Sequence, residues 1–184
     1  RMTDPAHVSG IDRLAEVAAT LPRGLVVNVQ GDEPLVSPDD IDAAVAAVRR
    51  DPTVEMSTLC RPLASEDEFT RPHVVKVVRD RRGRALYFSK EVIPYTGFDY
   101  APDELTPVFH HVGVYAYRPA ALAAYPTWPT GPLETLEGLE QLRFLEQGRP
   151  VLCVEVQSRG RQFWELNNPS DVPVIETMLA ENSP

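Results

Sequence analysis

The sequence contains little cysteine. Its two cysteines, Cys60 and Cys153, both lie in apolar runs and do not form a C-x-x-C pair. This placement favours reduced core residues over a metal site or a redox pair. A chain of 184 residues can bury a core large enough to fold without disulfides. Neither cysteine is therefore a candidate site residue.

The sequence also lacks an excess of positive charge and any long apolar stretch. It has 18 lysines and arginines against 27 aspartates and glutamates, a formal net charge of -9. This balance argues against binding to nucleic acid or to an anionic membrane surface, and an anionic small substrate would need local positive charge or a metal ion. No apolar run approaches the roughly 20 residues that cross a bilayer, and the first residues lack the features of a signal peptide. We therefore expect a cytoplasmic protein.

What the sequence does contain is the profile of a globular domain. Hydrophobic residues make up 43% of the chain and charged residues 24%. The 18 prolines are scattered along the chain instead of forming a linker. We find no low-complexity segment and no internal repeat, so we expect a single domain over residues 1–184.

The first part of the chain alternates helices and strands. Ser9 is placed as the N-cap of a helix that begins at about residue 10. The run LVVNVQ at 25–30 is nearly continuous in apolar, β-branched residues, which predicts a buried parallel strand in the centre of a sheet. Ser37 and Pro38 then begin a second helix through an alanine-rich segment.

The rest of the chain adds antiparallel structure. The runs VVKVVRD and RALYFSK flank a glycine turn and predict a β-hairpin. Residues 110–118 alternate like a strand, a helix is predicted over 134–147 with Gly148 after it, a strand follows, and a final helix begins near Asn168. The order predicts an α/β protein with a Rossmann-like, mixed and mostly parallel sheet that carries an antiparallel hairpin insertion.

Ligands in such sheets bind beyond the carboxyl ends of the strands, so loops after strands are the first places to look for a site. Asp32 and Glu33 directly follow the strand at 25–30. Carboxylates at this edge could share a divalent cation with phosphate oxygens, and Mg²⁺ suits that arrangement because it is usually held by one or two carboxylates plus phosphates. The alternative, which pattern alone leaves open, is a pair of solvated turn residues.

Two further polar clusters are candidates. Strand alternation places one histidine of the pair at 110–111 on the same face as Gly113 and Tyr115. A second cluster is the Glu-Gln pair at 140–141, inside the predicted helix. A structural histidine and a solvated helix surface are the alternatives that these patterns leave open.

Six blocks of sequence are specific when they are taken together and in order. They are HVSGIDRLAEV, VVNVQGDEPL, VVKVV, ALYFSK, HHVGVYAYR and LEQLRFLEQG. Their order and spacing resemble those of the 3-deoxy-manno-octulosonate (KDO) cytidylyltransferases, from about residue 7 to about residue 180. The resemblance implies a Rossmann-like nucleotide-diphospho-sugar transferase fold. It also implies transfer of CMP from CTP to the hydroxyl of a KDO-like sugar acid, with release of diphosphate.

The resemblance further implies roles for individual residues. Asp32 would bind Mg²⁺, with Asn167 at a second metal position, and Asp32 and Gln30 are the expected catalytic residues. The cytidine of CTP would lie near His7, Ser9 and Gly10. The sugar acid would be held by Gln30, Lys90, His111, Tyr115, Glu140 and Gln141. A homodimer is also implied, and the tyrosine- and proline-rich segment 119–132, expected to be exposed, is a candidate contact surface.

The start of the sequence departs from the family pattern. The family opens with a strand and a glycine- and arginine-containing loop that cradles the CTP phosphates, and this sequence begins after that loop. We therefore expect a fragment of a longer protein. The alternative is a non-catalytic remnant that binds a nucleotide or a sugar.

Four point departures bear on the substrate. Asn167 stands where the family has an acidic metal ligand, so that position is weakened, supplied by Glu165 or unused. Lys90 stands where arginine is usual and offers a point charge in place of a bidentate fork. Ile11 and His73 stand in place of threonine and asparagine. These changes keep a second substrate class open, the small phosphonates of natural-product pathways, whereas the persistence of the sugar-side residues favours KDO.

Overall fold

The computed structural model describes residues 2–22, 24–63, 65–95, 108–157 and 163–181. Two short 3-10 turns cover 125–127 and 169–171. The strands are β1 Val26–Val29, β2 Met56–Pro62, β3 Lys76–Arg79, β4 Ala85–Ser89, β5 Val108–Tyr117 and β6 Val151–Glu155. The helices are α1 Gly10–Ala18, α2 Pro38–Arg50, α3 Glu66–Thr70, α4 Pro119–Ala124, α5 Pro132–Glu137, α6 Leu142–Glu146 and α7 Val172–Glu181.

The predicted starts of the first two helices are confirmed. The Ser9 hydroxyl accepts a hydrogen bond from the Asp12 N–H at the start of α1, and Ser37 does the same for Asp39 at the start of α2. Each serine satisfies an N–H that has no partner inside its own helix. The predicted hairpin is confirmed as well, since β3 and β4 pair antiparallel.

The sheet is mixed, but the prediction that it is mostly parallel is wrong. Its strands follow the order β4-β3-β5-β2-β6, with β1 also paired to β5. Only the β2–β6 pair is parallel among the pairs between described strands. β1 is largely half-buried and runs antiparallel to β5. Among the described strands β1 pairs with β5 alone, so the predicted central position is wrong as well. A run of apolar, β-branched residues does not specify the direction or the number of its neighbouring strands.

Two apolar layers enclose the sheet. On one face, Val112, Val114 and Ala116 of β5 pack with residues of α2. On the other face, Tyr115 and Tyr117 pack with residues of α1, α4 and α6. The alternation along β5 therefore assigns its odd-numbered residues from 111 onward to the α1 side of the sheet.

The long strand β5 carries a gap along one edge. β2 pairs along one side of β5. On the opposite side, β1 pairs with residues 114–117 and β3 with residues 108–110. Residues 111–113 thus lie between the end of β1 and the start of β3, where loops instead of a strand approach them.

The single helix predicted over 134–147 is instead two short helices, α5 and α6. Gly138 ends α5 in the left-handed conformation, at φ +63°, which glycine adopts without the Cβ penalty. The chain then turns through residues 139–141 before α6 begins. The sequence does not reveal this break because the residues on both sides of it have helical periodicity.

Two other expectations concern burial. The free cysteines Cys60 and Cys153 are both buried, as predicted for core residues. The segment 119–132 is less exposed than expected, because Leu122 and Tyr125 are buried in the core. Within the described ranges, no helix has the length and apolar composition needed to cross a bilayer.

Candidate active site

A cleft of about 390 Å³ opens beside the gap in the β5 edge. Most of the predicted site residues line it together, although they come from distant parts of the sequence. They are Gln30, Asp32, Lys90, His111, Tyr115, Glu140, Gln141 and Asn167. The three predicted nucleotide-side residues, His7, Ser9 and Gly10, are not in its lining.

The loop after β1 is fastened to β5 at Gly113. The Gln30 N–H donates to the Gly113 carbonyl at 3.3 Å, and the Gly113 N–H donates to Glu33 Oε1 at 2.7 Å. A side chain at Gly113 would not fit easily, because a Cβ there would lie 3.1 Å from Gln30 Oε1 and 3.2 Å from Glu33 Oε1. Burial raises the pKa of Glu33 to about 8. Glu33 is thus a support of this loop instead of a solvated turn residue.

A second loop joins the same wall of the cleft. The Leu166 N–H donates to the Asp32 carbonyl at 2.9 Å, and Asp32 and Asn167 both line the cleft. The Asn167 side-chain amide donates to Glu165 Oε2 at 3.3 Å. Burial alone would raise the pKa of Glu165, but His110 and Asn167 outweigh that effect and lower it.

Strand β5 presents His111 and Tyr115 to the cleft from the face that alternation predicted. His111 Nε2 lies 2.9 Å from Thr58 Oγ1, and the Thr58 hydroxyl has carbonyl acceptors at Val112 and Val114. Burial, reinforced by the neighbouring His110, lowers the pKa of His111 to about 3. Burial, reinforced by nearby carboxylates, raises the pKa of Tyr115. A neutral imidazole and a protonated phenol therefore face the cleft at neutral pH.

The turn between α5 and α6 delivers Glu140 and Gln141. Both carboxylate oxygens of Glu140 accept backbone N–H groups at the start of α1, from Gly10 at 2.7 Å and from Ile11 at 2.9 Å. Gln141 is 4% exposed, and its side-chain amide nitrogen has no hydrogen-bond partner in the described part of the chain. The Gln141 amide nitrogen is therefore free to donate a hydrogen bond to a ligand, whereas the Glu140 carboxylate is already bound to α1.

The start of α1 is already occupied by internal contacts. His7 Nε2 lies 2.7 Å from Glu16 Oε2, and the Ser9 hydroxyl caps α1 while contacting Asp12. Glu140 connects this segment to the cleft. The predicted nucleotide-side residues thus lie next to the cleft wall without being part of it.

The charge of the cleft is mostly negative. Asp32, Glu140 and Glu165 contribute carboxylates, whereas Glu33 is mostly protonated at neutral pH because burial raises its pKa to about 8. Lys90 is the sole lysine or arginine among the described lining residues. Sequence reasoning missed Asn28, which also lines the cleft. Its position two residues before Gln30 on a strand is the signal that would have found it.

Comparison with known proteins gives this cleft a context. The chain matches the cytidylyltransferase family model over residues 1–155. It is 45% identical over 185 residues to the 3-deoxy-manno-octulosonate cytidylyltransferase of Syntrophotalea carbinolica, covering 97% of this chain and 72% of that protein. It is 48% identical over 157 residues to the enzyme of the same name from Solibacter usitatus, covering 85% of this chain and 61% of that protein.

Solved structures agree. A CMP:2-keto-3-deoxy-manno-octonic acid synthetase complexed with CTP superposes on the whole of this chain and on 73% of its own, with 34% identity and a TM-score of 0.87. The inositol-1-phosphate CTP transferase from T. maritima, 13% identical with a TM-score of 0.58, is similar in fold alone. The predicted α/β, Rossmann-like class is thereby confirmed. The chain belongs to the cytidylyltransferase family and, within it, to the 3-deoxy-manno-octulosonate cytidylyltransferases.

Proposed function

We propose that this chain transfers CMP from CTP to a KDO-like sugar acid and releases diphosphate. The observation that carries the proposal is the assembly of eight predicted residues around one cleft, in a chain similar over nearly its whole length to enzymes that bear this name. The anomeric hydroxyl oxygen attacks the α-phosphorus of CTP and forms the new O–P bond. The bond from that phosphorus to the bridging oxygen breaks, diphosphate leaves, and the hydroxyl proton passes to solvent.

Such a transfer depends on positioning and on neutralising charge, and it requires no covalent intermediate on the protein. A negatively charged cleft and a triphosphate repel each other, so a cation must lie between them. This requirement makes a divalent metal part of the proposal.

Asp32 is the residue best suited to hold Mg²⁺. Its Oδ1 atom is buried with no hydrogen-bond partner among the described residues, and a cation would satisfy it. The described residues form no cluster of three histidine, cysteine or carboxylate ligands, which is compatible with Mg²⁺ because substrate phosphates and water usually complete its coordination. Asn167 would offer a neutral amide oxygen beside Asp32. When bound, the cation would neutralise charge on the phosphates.

The sugar acid fits the remaining walls. Lys90 supplies the positive charge for a carboxylate. The neutral His111, the protonated Tyr115 and the amide nitrogen of Gln141, which has no partner among the described residues, supply hydrogen bonds for hydroxyls. Gln30 projects from the loop that also carries Asp32, where the sugar and the α-phosphate would meet. This arrangement suits a polyhydroxylated acid better than a small phosphonate.

Three finer features belong to the same proposal. His7, Ser9 and Gly10 would lie near the cytidine. The protein would act as a homodimer, which a molar-mass measurement in solution tests. The reaction would take place in the cytoplasm, where CTP is available and where buried thiols such as Cys60 and Cys153 stay reduced.

The test is diphosphate release by the full-length protein with CTP, comparing KDO with a panel of small phosphonates, with and without Mg²⁺. We expect turnover with KDO that requires Mg²⁺ and that Asp32→Asn reduces by at least about a hundredfold. Turnover confined to a phosphonate would reassign the acid substrate. Absence of turnover with every acid would leave a nucleotide-binding remnant.

A further inference from the structure

The chain has two lysines, Lys76 and Lys90, and one of them is completely buried. Lys76 lies in β3 with 0% exposure. An ammonium group removed from water is costly unless hydrogen bonds and opposite charge compensate it. The groups that bind the buried ammonium therefore indicate the role of Lys76.

The Lys76 ammonium joins two segments of the cleft wall. Nζ donates to the carbonyl of Arg71 at 2.9 Å and to the carbonyl of Lys90 at 2.5 Å. Arg71 precedes His73 by two residues, and His73 and Lys90 both line the cleft. Glu91 and Glu137 supply negative charge near the ammonium.

The other side of Lys90 is fastened by Glu137. The Lys90 N–H donates to Glu137 Oε2 at 3.0 Å, and the Ser89 hydroxyl donates to Glu137 Oε1 at 2.7 Å. The backbone N–H and the carbonyl of Lys90 are thus both bound to charged side chains. Its exposed side chain extends beside Gly138, where a Cβ would lie 3.3 Å from Lys90 Nζ.

We propose that Lys76 and Glu137 form a clamp, the Lys90 clamp, whose role is to aim the Lys90 ammonium at the carboxylate of the acid substrate. A lysine has a flexible four-carbon stem and binds as a point charge. Fixing its backbone removes freedom that would otherwise be lost on binding. Lys76 and Glu137 are positioning residues because they act through Lys90. The inference rests on the proposed function only for the identity of the anion.

The kinetic test compares Lys76→Met, which keeps the stem and removes the donors, with Lys90→Met. In the full-length protein we expect each change to raise the KM for KDO about tenfold, as for a lost charge-assisted hydrogen bond, and to leave the KM for CTP within about twofold. The double variant should be no worse than Lys90→Met alone, because the clamp works only through Lys90. Equal increases in both KM values, or additive losses, would overturn the proposal.

A second measurement does not depend on turnover. Hydrogen exchange of the Lys90 amide should become at least about tenfold faster in Lys76→Met, while amides of β2 keep their protection. Glu137→Ala removes the acceptor of the Lys90 N–H at a half-buried position. The same exchange measurement on this variant tests the clamp if Lys76→Met does not fold. Unchanged exchange at Lys90 in the folded variant would refute the clamp. Failure of the wild type to use KDO would refute the proposed function and leave this measurement decisive for the clamp.

Discussion

At the residue scale, the cleft combines an excess of carboxylates with neutral hydrogen-bonding groups. His111 is the clearest case, because it is 5% exposed and held against Thr58 Oγ1 at 2.9 Å. Its neighbours are aromatic, with the rings of Phe88 and Tyr115 5.2 Å and 5.4 Å from its own. Such surroundings disfavour a charged imidazole. His111 can therefore bind a hydroxyl but cannot supply the cation that an anionic substrate requires.

The neutrality of His111 predicts a pH dependence of stability. Unfolded His111 takes up a proton as the pH falls through 6.5, whereas the folded protein does so only at about 3. The unfolded state binds more protons in this range, so the free energy of unfolding should decrease as the pH falls from 6.5 to 3. The contribution of His111 to the slope should reach about 1.4 kcal/mol per pH unit.

Denaturant unfolding of wild type and of His111→Gln across this range measures that contribution. Glutamine keeps a donor for Thr58 and does not titrate. The variant should show a shallower acid limb than the wild type. Parallel limbs would mean that other groups produce the acid sensitivity.

At the element scale, Glu140 ties the turn before α6 to the start of α1. Glu140→Gln replaces an oxygen that accepts an N–H by an amide nitrogen that cannot, so we expect a loss of about 1 kcal/mol in the free energy of unfolding. Because Gly10, one of the predicted cytidine-side residues, begins α1 and donates its N–H to Glu140, the KM for CTP should rise more than the KM for KDO. A selective increase in the KM for KDO would instead support direct sugar binding by Glu140.

Glu146 provides the matched control for this experiment. Its carboxylate accepts the Leu133 and Glu134 N–H groups at the start of α5, at 3.0 Å and 3.1 Å, and it does not line the cleft. Glu146→Gln should cost similar stability and leave both KM values unchanged. A KM change in Glu140→Gln that is absent from Glu146→Gln could therefore not result from lost stability alone.

The break between α5 and α6 allows a second comparison at this scale. Gly138 and Gly148 have nearly equal positive φ, +63° and +67°, so alanine at either position should cost about 1 kcal/mol. Gly138 lines the cleft and directly precedes other cleft residues, whereas Gly148 does not line it. Gly138→Ala should lower kcat/KM with KDO about tenfold, by displacing the turn and by placing a Cβ 3.3 Å from Lys90 Nζ. Gly148→Ala should leave kcat/KM within about twofold of the wild type. Equal kinetic effects of the two substitutions would show that the cleft does not depend on the conformation at Gly138.

At the scale of the whole molecule, the net charge of -9 opposes binding of a bare triphosphate, and the proposed divalent cation would offset that repulsion. We expect CTP with Mg²⁺ to raise the melting temperature by about 5 °C at saturating concentration, and CTP without a divalent cation to raise it far less. Asp32→Asn should abolish the difference. Asp39→Asn, which removes an exposed carboxylate outside the cleft, should retain it, and a metal-independent shift in the wild type would contradict the role of Asp32.

Much of this molecule was predictable because local rules and tertiary structure agree. Ser9 and Ser37 cap helices as expected, and the turn at Gly83 joins an antiparallel hairpin. The alternation along β5 correctly placed one histidine, His111, on the same face as Gly113 and Tyr115. Strand direction was not predictable in the same way. A buried run of β-branched residues has the same pattern whether its neighbour is parallel or antiparallel.

The sequence by itself determined the starts of α1 and α2, the hairpin, the family and eight of the residues around the cleft, because caps, turns and alternation are encoded over a few residues and the six blocks are specific in their order. Only the tertiary structure decided how those residues work together. Three contacts do this. Glu140 binds the start of α1, Glu33 supports the Asp32 loop at Gly113, and Lys76 holds the Lys90 carbonyl. Each joins residues that are far apart in the sequence. Their effect depends on distances of about 3 Å between polar atoms, which no local pattern specifies.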